Sequence, residues 1–116
     1  MARTQGSIVA ANTKVTYQNS DACQYALVTI SGTYGGVQAS FQASDDGGTT
    51  YYSLGIIKCS DLATVQAATG ALVDNSNNAW FANIAGFTHF QVAASAWTSG
   101  AAVVKISALA GVGAIR

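Results

Sequence analysis

Residues 37–54 read VQASFQASDDGGTTYYSL, and this stretch decides the fold. Val37, Ala39, Phe41 and Ala43 alternate with Gln38, Ser40, Gln42 and Ser44. A period of two puts the apolar set on one face of a strand and the polar set on the other, the pattern of a half-buried strand. Asp45-Asp46-Gly47-Gly48 then stops the run, because aspartate bonds its own backbone in turns and glycine reaches positive φ without a Cβ clash. Thr50, Tyr51 and Tyr52 restart an extended segment rich in β-formers. Strand, Asp/Gly turn, strand is a hairpin signal. The second strand is expected to continue through residues 54–59 (LGIIKC), with Gly55 as a bulge.

The same period recurs outward from this hairpin. In residues 24–31, Ala26, Val28 and Ile30 form one row and Tyr25, Leu27 and Thr29 the other. Apolar residues on both rows predict a central strand, or one whose outer face meets another subunit. Residues 32–36 (GTYGG) are expected to break it. Val15 and Tyr17 share a face in residues 14–18, as do Trp80, Ala82 and Ile84 in residues 79–84. Phe90, Val92, Ala94 and Ala96 point inward in residues 89–97, and Ala102, Val104, Ile106 and Ala108 do so after the Thr98-Ser99-Gly100 turn. Residues 60–68 read either as a short helix behind an N-cap-like Ser60-Asp61 or as a wandering strand. Residues 74–78 (DNSNN) are a loop, in a connection of the length that crosses between sheets or reaches a partner. Turn signals recur at roughly 8–12 residues, the spacing of a sandwich. The expectation is an all-β antiparallel sandwich, jelly-roll or immunoglobulin-like, of seven or eight strands. It has a flexible N-terminal arm (1–12), a β-sandwich domain (13–108) and a C-terminal tail (109–116). Phe41, Trp80, Phe90, Val92, Val104 and Ile106 are the expected core.

The chain's 116 residues suffice for one domain with a real core. Half are hydrophobic and only 9% are charged, against about 25% in an average soluble protein. Glu and Pro are absent and the net charge is zero. A neutral surface of Ala, Gly, Ser, Thr, Asn and Gln resists association poorly, which points to a protein working inside an assembly. Five scattered Lys and Arg do not supply the phosphate neutralisation that nucleic acid binding needs. No apolar run approaches the ~18 residues of a membrane span, so no membrane partner is expected. The opening MARTQGSIVA lacks an apolar h-region, so no signal peptide is expected and folding in a cytoplasm follows. Cys23 and Cys59 read as buried or half-buried free thiols rather than a disulfide. Two Cys and one His do not build a four-ligand zinc site; no metal or cofactor is expected.

Little chemistry stands out. Asp45 and Asp46 are adjacent and point apart in extended chain, so they make turn chemistry rather than an acid/base pair. A calcium ion shared with backbone carbonyls is the functional alternative. His89, the single histidine, lacks an orienting third group for a Cys-His nucleophile. Gly35-Gly36 is followed by Val37, so there is no phosphate cradle. An enzyme is not expected. Tyr34, Tyr51, Tyr52 and Trp97 sit near turns, where aromatic rings can stack on sugars; the competing reading is half-buried strand aromatics. Ile8 and Val9 lie in a segment that is either a flexible arm or an edge strand added to a neighbour. Leu109, Val112 and Ile115 make the tail apolar, as a docking segment would be.

The block SDDGGTTYYSL and the later NIAGFTHFQVAASAWTSGAAVVKISA resemble a family of small virion proteins of tailed bacteriophages. That family's pattern is a strand ending in Ser-x-Asp-Gly-Gly-Thr-Thr-Trp, an x-Ala-Gly-Phe-Thr-x-Phe-x-Val strand, a Thr-Ser-Gly turn and a final apolar strand. Residues 44–50, 85–92 and 98–100 match; Tyr51 stands where Trp is usual. The resemblance covers most of residues 28–108. It implies a virion structural protein, made in the bacterial host cytoplasm. The form it favours is a capsid decoration (cement) protein, a homotrimer bound to the major capsid protein on the outside of the head through arm and tail. The alternative is a tail, baseplate or fibre component that contacts host glycans.

Overall fold

A computed structural model describes residues 2–20 and 22–109. Among them are eleven strands and no helix: β1 (Ala2–Ile8), β2 (Lys14–Gln18), β3 (Tyr25–Gly35), β4 (Gln38–Ser44), β5 (Tyr52–Ser53), β6 (Ile56–Lys58), β7 (Asp61–Gln66), β8 (Ala68–Ala71), β9 (Asn78–Asn83), β10 (His89–Ala96) and β11 (Ser99–Leu109). The count exceeds the expected seven or eight because several are short pieces of segments that change sheet. All pairings are antiparallel. One sheet has the order β1-β11-β3-β9-β6-β7; the other runs β2-β10-β4-β5, with β8 also paired to β4.

The two sheets meet over one core, built from the inward rows that alternation predicts. Val37, Ala39, Phe41 and Ala43 are buried, as are Ala26, Val28 and Ile30, and Ala102, Val104, Ile106 and Ala108. All six expected core residues, Trp80, Phe90 and Val92 included, are buried in this core. Ala96 is less buried than its row, because the β10–β4 register slips between Ala94 and Ala96.

Three expectations change and one open reading is decided. The opening hairpin is short: β4 pairs with β5 only at Gln42–Ser53 and Ala43–Tyr52. The chain then crosses at Leu54-Gly55 and continues as β6 in the other sheet, so residues 54–59 do not extend the hairpin. Second, of the two readings open for residues 60–68 the strand holds: residues 61–66 form β7, and the following β8 crosses back to pair with β4. Third, residues 32–35 do not break β3. Gly32 takes φ +108, and a Cβ there would lie 2.8 Å from the Ala101 carbonyl; glycine lets the strand bend and stay paired.

Fourth, the N-terminal segment is no free arm. β1 pairs with β11 of its own chain from Ala2–Ala108 to Ile8–Ala102, and Ile8 is fully buried. Its sequence signal was faint because Ile8-Val9-Ala10-Ala11 does not alternate. At Gly6 a Cβ would stand 3.0 Å from a Val15 methyl, so β1 closes tightly against β2. At the other end Leu109 belongs to β11, opposite Tyr25; residues 110–116 lie outside the described residues.

Candidate functional site

The Asp/Gly turn is satisfied from within. Asp46 Oδ1 accepts from the Ser44 hydroxyl at 2.7 Å and from the backbone N–H groups of Thr49 and Thr50 at 3.1 and 2.9 Å. Ser44 Oγ in turn accepts from the N–H of Gly48 at 3.0 Å. The Thr50 N–H first, then the Ser44 hydroxyl, hold the Asp46 carboxyl at about 2 instead of the ordinary 3.8. Donors already aimed at this carboxylate would repel a cation, so the turn does not read as a calcium site. Among the described residues, no three His, Cys, Asp or Glu side chains gather as a metal site would require.

His89 Nδ1 lies 3.1 Å from the neighbouring Thr88 hydroxyl and bonds neither thiol. Both cysteines are free. Cys23 is buried in a small polar knot. Asn19 Nδ2 donates to the carbonyls of Cys23 and Phe87 at 2.9 and 3.1 Å, and Asn19 Oδ1 accepts from the Cys23 N–H at 2.7 Å. Cys59, expected to be at least half-buried, is exposed.

The four aromatic candidates do not form one platform. Tyr34 is buried, as the strand-aromatic reading has it and more deeply, and its hydroxyl donates to the Ser76 carbonyl at 3.0 Å. The loop of residues 74–76 folds over it: the Tyr34 N–H donates to Asn75 Oδ1 and the Gly36 N–H to Asp74 Oδ1. That loop is held by its own chain. Trp97 is half-buried against the core, and its indole N–H donates to the Gly100 carbonyl at 2.9 Å. Tyr51 is half-buried and Tyr52 exposed. Tyr52 pairs with Ala43, whereas Ala96, beside Trp97, pairs with Gln38. Five residues of strand separate the two levels, about 17 Å at ~3.4 Å per residue.

Among the apolar docking candidates, Ile8 is spent in the core, while Val9 and Leu109 are exposed. Val112 and Ile115 lie outside the described residues.

What the sequence reading missed is an asymmetry between the two outer faces. On the β2-β10-β4-β5 sheet, Thr16, Gln91, Gln42 and Ser53 stand in one row. The Thr16 hydroxyl donates to Gln91 Oε1 at 3.2 Å, and Gln91 Nε2 donates to Gln42 Oε1 at 2.6 Å. On the six-stranded sheet the corresponding row is Leu27, Phe81, Ile57 and Val65, each directly opposite the next. These side chains are 41, 38, 37 and 66% exposed. Tyr25 stacks on Phe81 with ring centroids 5.2 Å apart. Two residues further along β3 and β9, an open cavity of about 410 Å³ is lined by Thr29, Ser31, Cys59, Ser60, Asn77 and Ala79, among others. The one signal for this face was the apolar residue on each row of β3, Leu27 above all. Ile57, Phe81 and Val65 were unreadable until their pairing was known.

No family model matches the chain, and no curated protein matches it. Two solved structures share its fold. One is the SPBc2 prophage-derived protein YomS: 18% identity, TM-score 0.70, covering 93% of this chain and 96% of that one. The other is the PBSX exported protein XepA: 22% identity, TM-score 0.70, again covering 93% of this chain. The chain spans only 38% of XepA's length, so the same fold stands alone in one of these proteins and forms part of a longer chain in the other.

Proposed function

We propose that this chain is a bacteriophage structural protein that works by packing against other protein subunits, most specifically as a decoration protein on the outside of the head. The observation that carries the reading is the end-to-end likeness to a prophage-derived protein of nearly the same length. The surface chemistry agrees with it. A charge-poor two-sheet sandwich with one greasy outer face is built for subunit contacts rather than for catalysis. The major capsid protein and further copies of this chain are the partners in this reading.

A tail, baseplate or fibre component is the second reading, favoured by the occurrence of the same fold as a part of the longer XepA. Its glycan-binding form is weakened, since Tyr34 is buried and Trp97 lies at the opposite end of the sheet from Tyr51 and Tyr52. Immunogold labelling of purified particles with an antibody to this chain separates the readings. Label over the head supports decoration and label confined to the tail supports the second. Particles that carry no label would remove both.

A further inference from the structure

We infer that the open cavity on the outer face of the six-stranded sheet binds an acidic saccharide, its ring among the cavity's hydroxyl groups and its anionic group on Lys105. The cavity has a structural origin. Ile30–Asn78 is the last pair between β3 and β9, whereas β3 runs on beside β11 to Gly35. Past that pair β3 loses its neighbour on one side, and the short side chains of Thr29, Ser31 and Ala79 leave the space open. The Cys59 N–H donates to the Ala79 carbonyl at 3.0 Å, which brings Cys59 and Ser60 to the rim. A volume of about 410 Å³ falls within the roughly 300–1,000 Å³ of small-molecule sites.

The lining selects the ligand. The hydroxyls of Thr29, Ser31 and Ser60 and the Asn77 carboxamide each both donate and accept. Among the described residues, none of these four side chains is hydrogen-bonded to another residue. Neutral groups of that kind, gathered in one hollow, match the hydroxyls of a sugar ring. The charge comes from the next strand. Lys105 stands directly opposite Thr29 on the same outward row, half-buried and without an ion pair among the described residues. Lys58, across the cavity, is offset by Asp61 opposite it. Lys105 has no such acid beside it, since β1, β3, β9 and β11 contain no Asp or Glu. Arg3, opposite Ser107, adds a second, exposed cation to this face. A half-buried ammonium with no counter-charge attracts an anion, and a carboxylate or phosphate on the sugar supplies one. Phe81 stands two residues along β9 from Ala79, about 7 Å away, where its ring meets the C–H side of a following sugar. This inference goes beyond both readings above. It uses none of Tyr34, Tyr51, Tyr52 and Trp97, it holds on head or tail alike, and the isolated protein suffices to test it.

The test is an amide-resolved NMR titration of the full chain with glucuronate, glucose 1-phosphate, glucose and inorganic phosphate in turn. At least one of the two acidic sugars is expected to shift the amides of Thr29, Ser31, Ser60 and Asn77, with a Kd on the order of millimolar. It should bind roughly tenfold more tightly than glucose and weaken as salt is raised. The glucuronate and glucose 1-phosphate arms tell a carboxylate from a phosphate as the favoured anion. Lys105→Met keeps the apolar stem and removes the charge, and should bring the acidic sugars down to the level of glucose. Asn77→Ala should weaken all three sugars. Either variant alone suffices if circular dichroism shows that the other fails to fold. Amides that none of the three sugars moves overturn the inference. So does glucose binding as tightly as the acidic sugars, or a folded Lys105→Met that binds them as wild type does. Inorganic phosphate that matches glucose 1-phosphate on the same amides also overturns it, because the face then holds an anion without recognising a sugar.

Discussion

Phe41 of β4 and Trp80 of β9 meet across the interior, their ring centroids 5.2 Å apart and the planes tilted by 54°. Each comes from a different sheet, and both are fully buried. A tilted aromatic pair adds to the energy of its buried area, so this contact ties the layers together. The Trp80 indole N–H is satisfied at 2.9 Å by Gln66 Oε1, a side chain of β7. Phe41→Ala removes one ring and leaves a cavity against the other. The expected cost is about 3–5 kcal/mol, read as a fall in the urea midpoint with an unchanged m-value.

Asn19 is the second place where one side chain holds distant segments. Its amide joins the β2–β3 connection to the loop before β10 through the carbonyls of Cys23 and Phe87. Asn19→Ala strands those two carbonyls and the Cys23 N–H in a buried setting, at a cost on the order of 3 kcal/mol. A purely local loosening would show first as faster modification of the Cys23 thiol, so a Cys59→Ser background isolates that signal. If Asn19→Ala leaves both stability and Cys23 reactivity unchanged, the knot has no structural role.

What the sequence disclosed follows from the period of two. Wherever one face of a strand is buried, alternation is forced, and Val37, Ala39, Phe41 and Ala43 wrote it plainly. β7 and β8 gave no such pattern, because seven of the ten residues in 61–66 and 68–71 are exposed and none is fully buried. Tyr34 looked like a surface ring because its cover, Asn75 and Ser76, arrives from forty residues away. The apolar row of the outer face was hidden for the same reason: Ile57, Phe81 and Leu27 come from three separate strands, and only register places them side by side.

Removal of residues 2–8 tests the revised view of the N-terminus. A free arm would be lost without harm to the domain. As β1, the segment supplies seven paired positions along β11 and the buried Ile8. Its loss strips the ladder from one side of β11 and opens the core at Ile8, whose truncation alone is worth about 2–5 kcal/mol. The truncated chain is therefore expected to melt well below the full chain and to aggregate through the bared β11 edge. An unchanged melting temperature would return these residues to the status of an arm.

Acid should loosen the Asp46 turn within a defined window. The folded carboxyl sits at about 2, below its ordinary 3.8, so the folded state favours the ionised form. The stabilisation is fully present above 3.8 and is lost as pH falls through about 2. Asp61, drawn down by the Thr64 hydroxyl and the Ala63 N–H, acts in the same direction. Both groups are exposed, so the effect is modest and screened by salt. In Asp46→Asn an amide keeps an acceptor oxygen but cannot titrate. The variant should be less stable than wild type at neutral pH, and the gap should narrow as the medium is acidified through that window. Carboxyl NMR titration provides the direct check, with the Asp46 midpoint expected well below that of an unperturbed aspartate. A midpoint near 3.8 would mean that the Thr50 and Ser44 donors do not hold the carboxylate in solution.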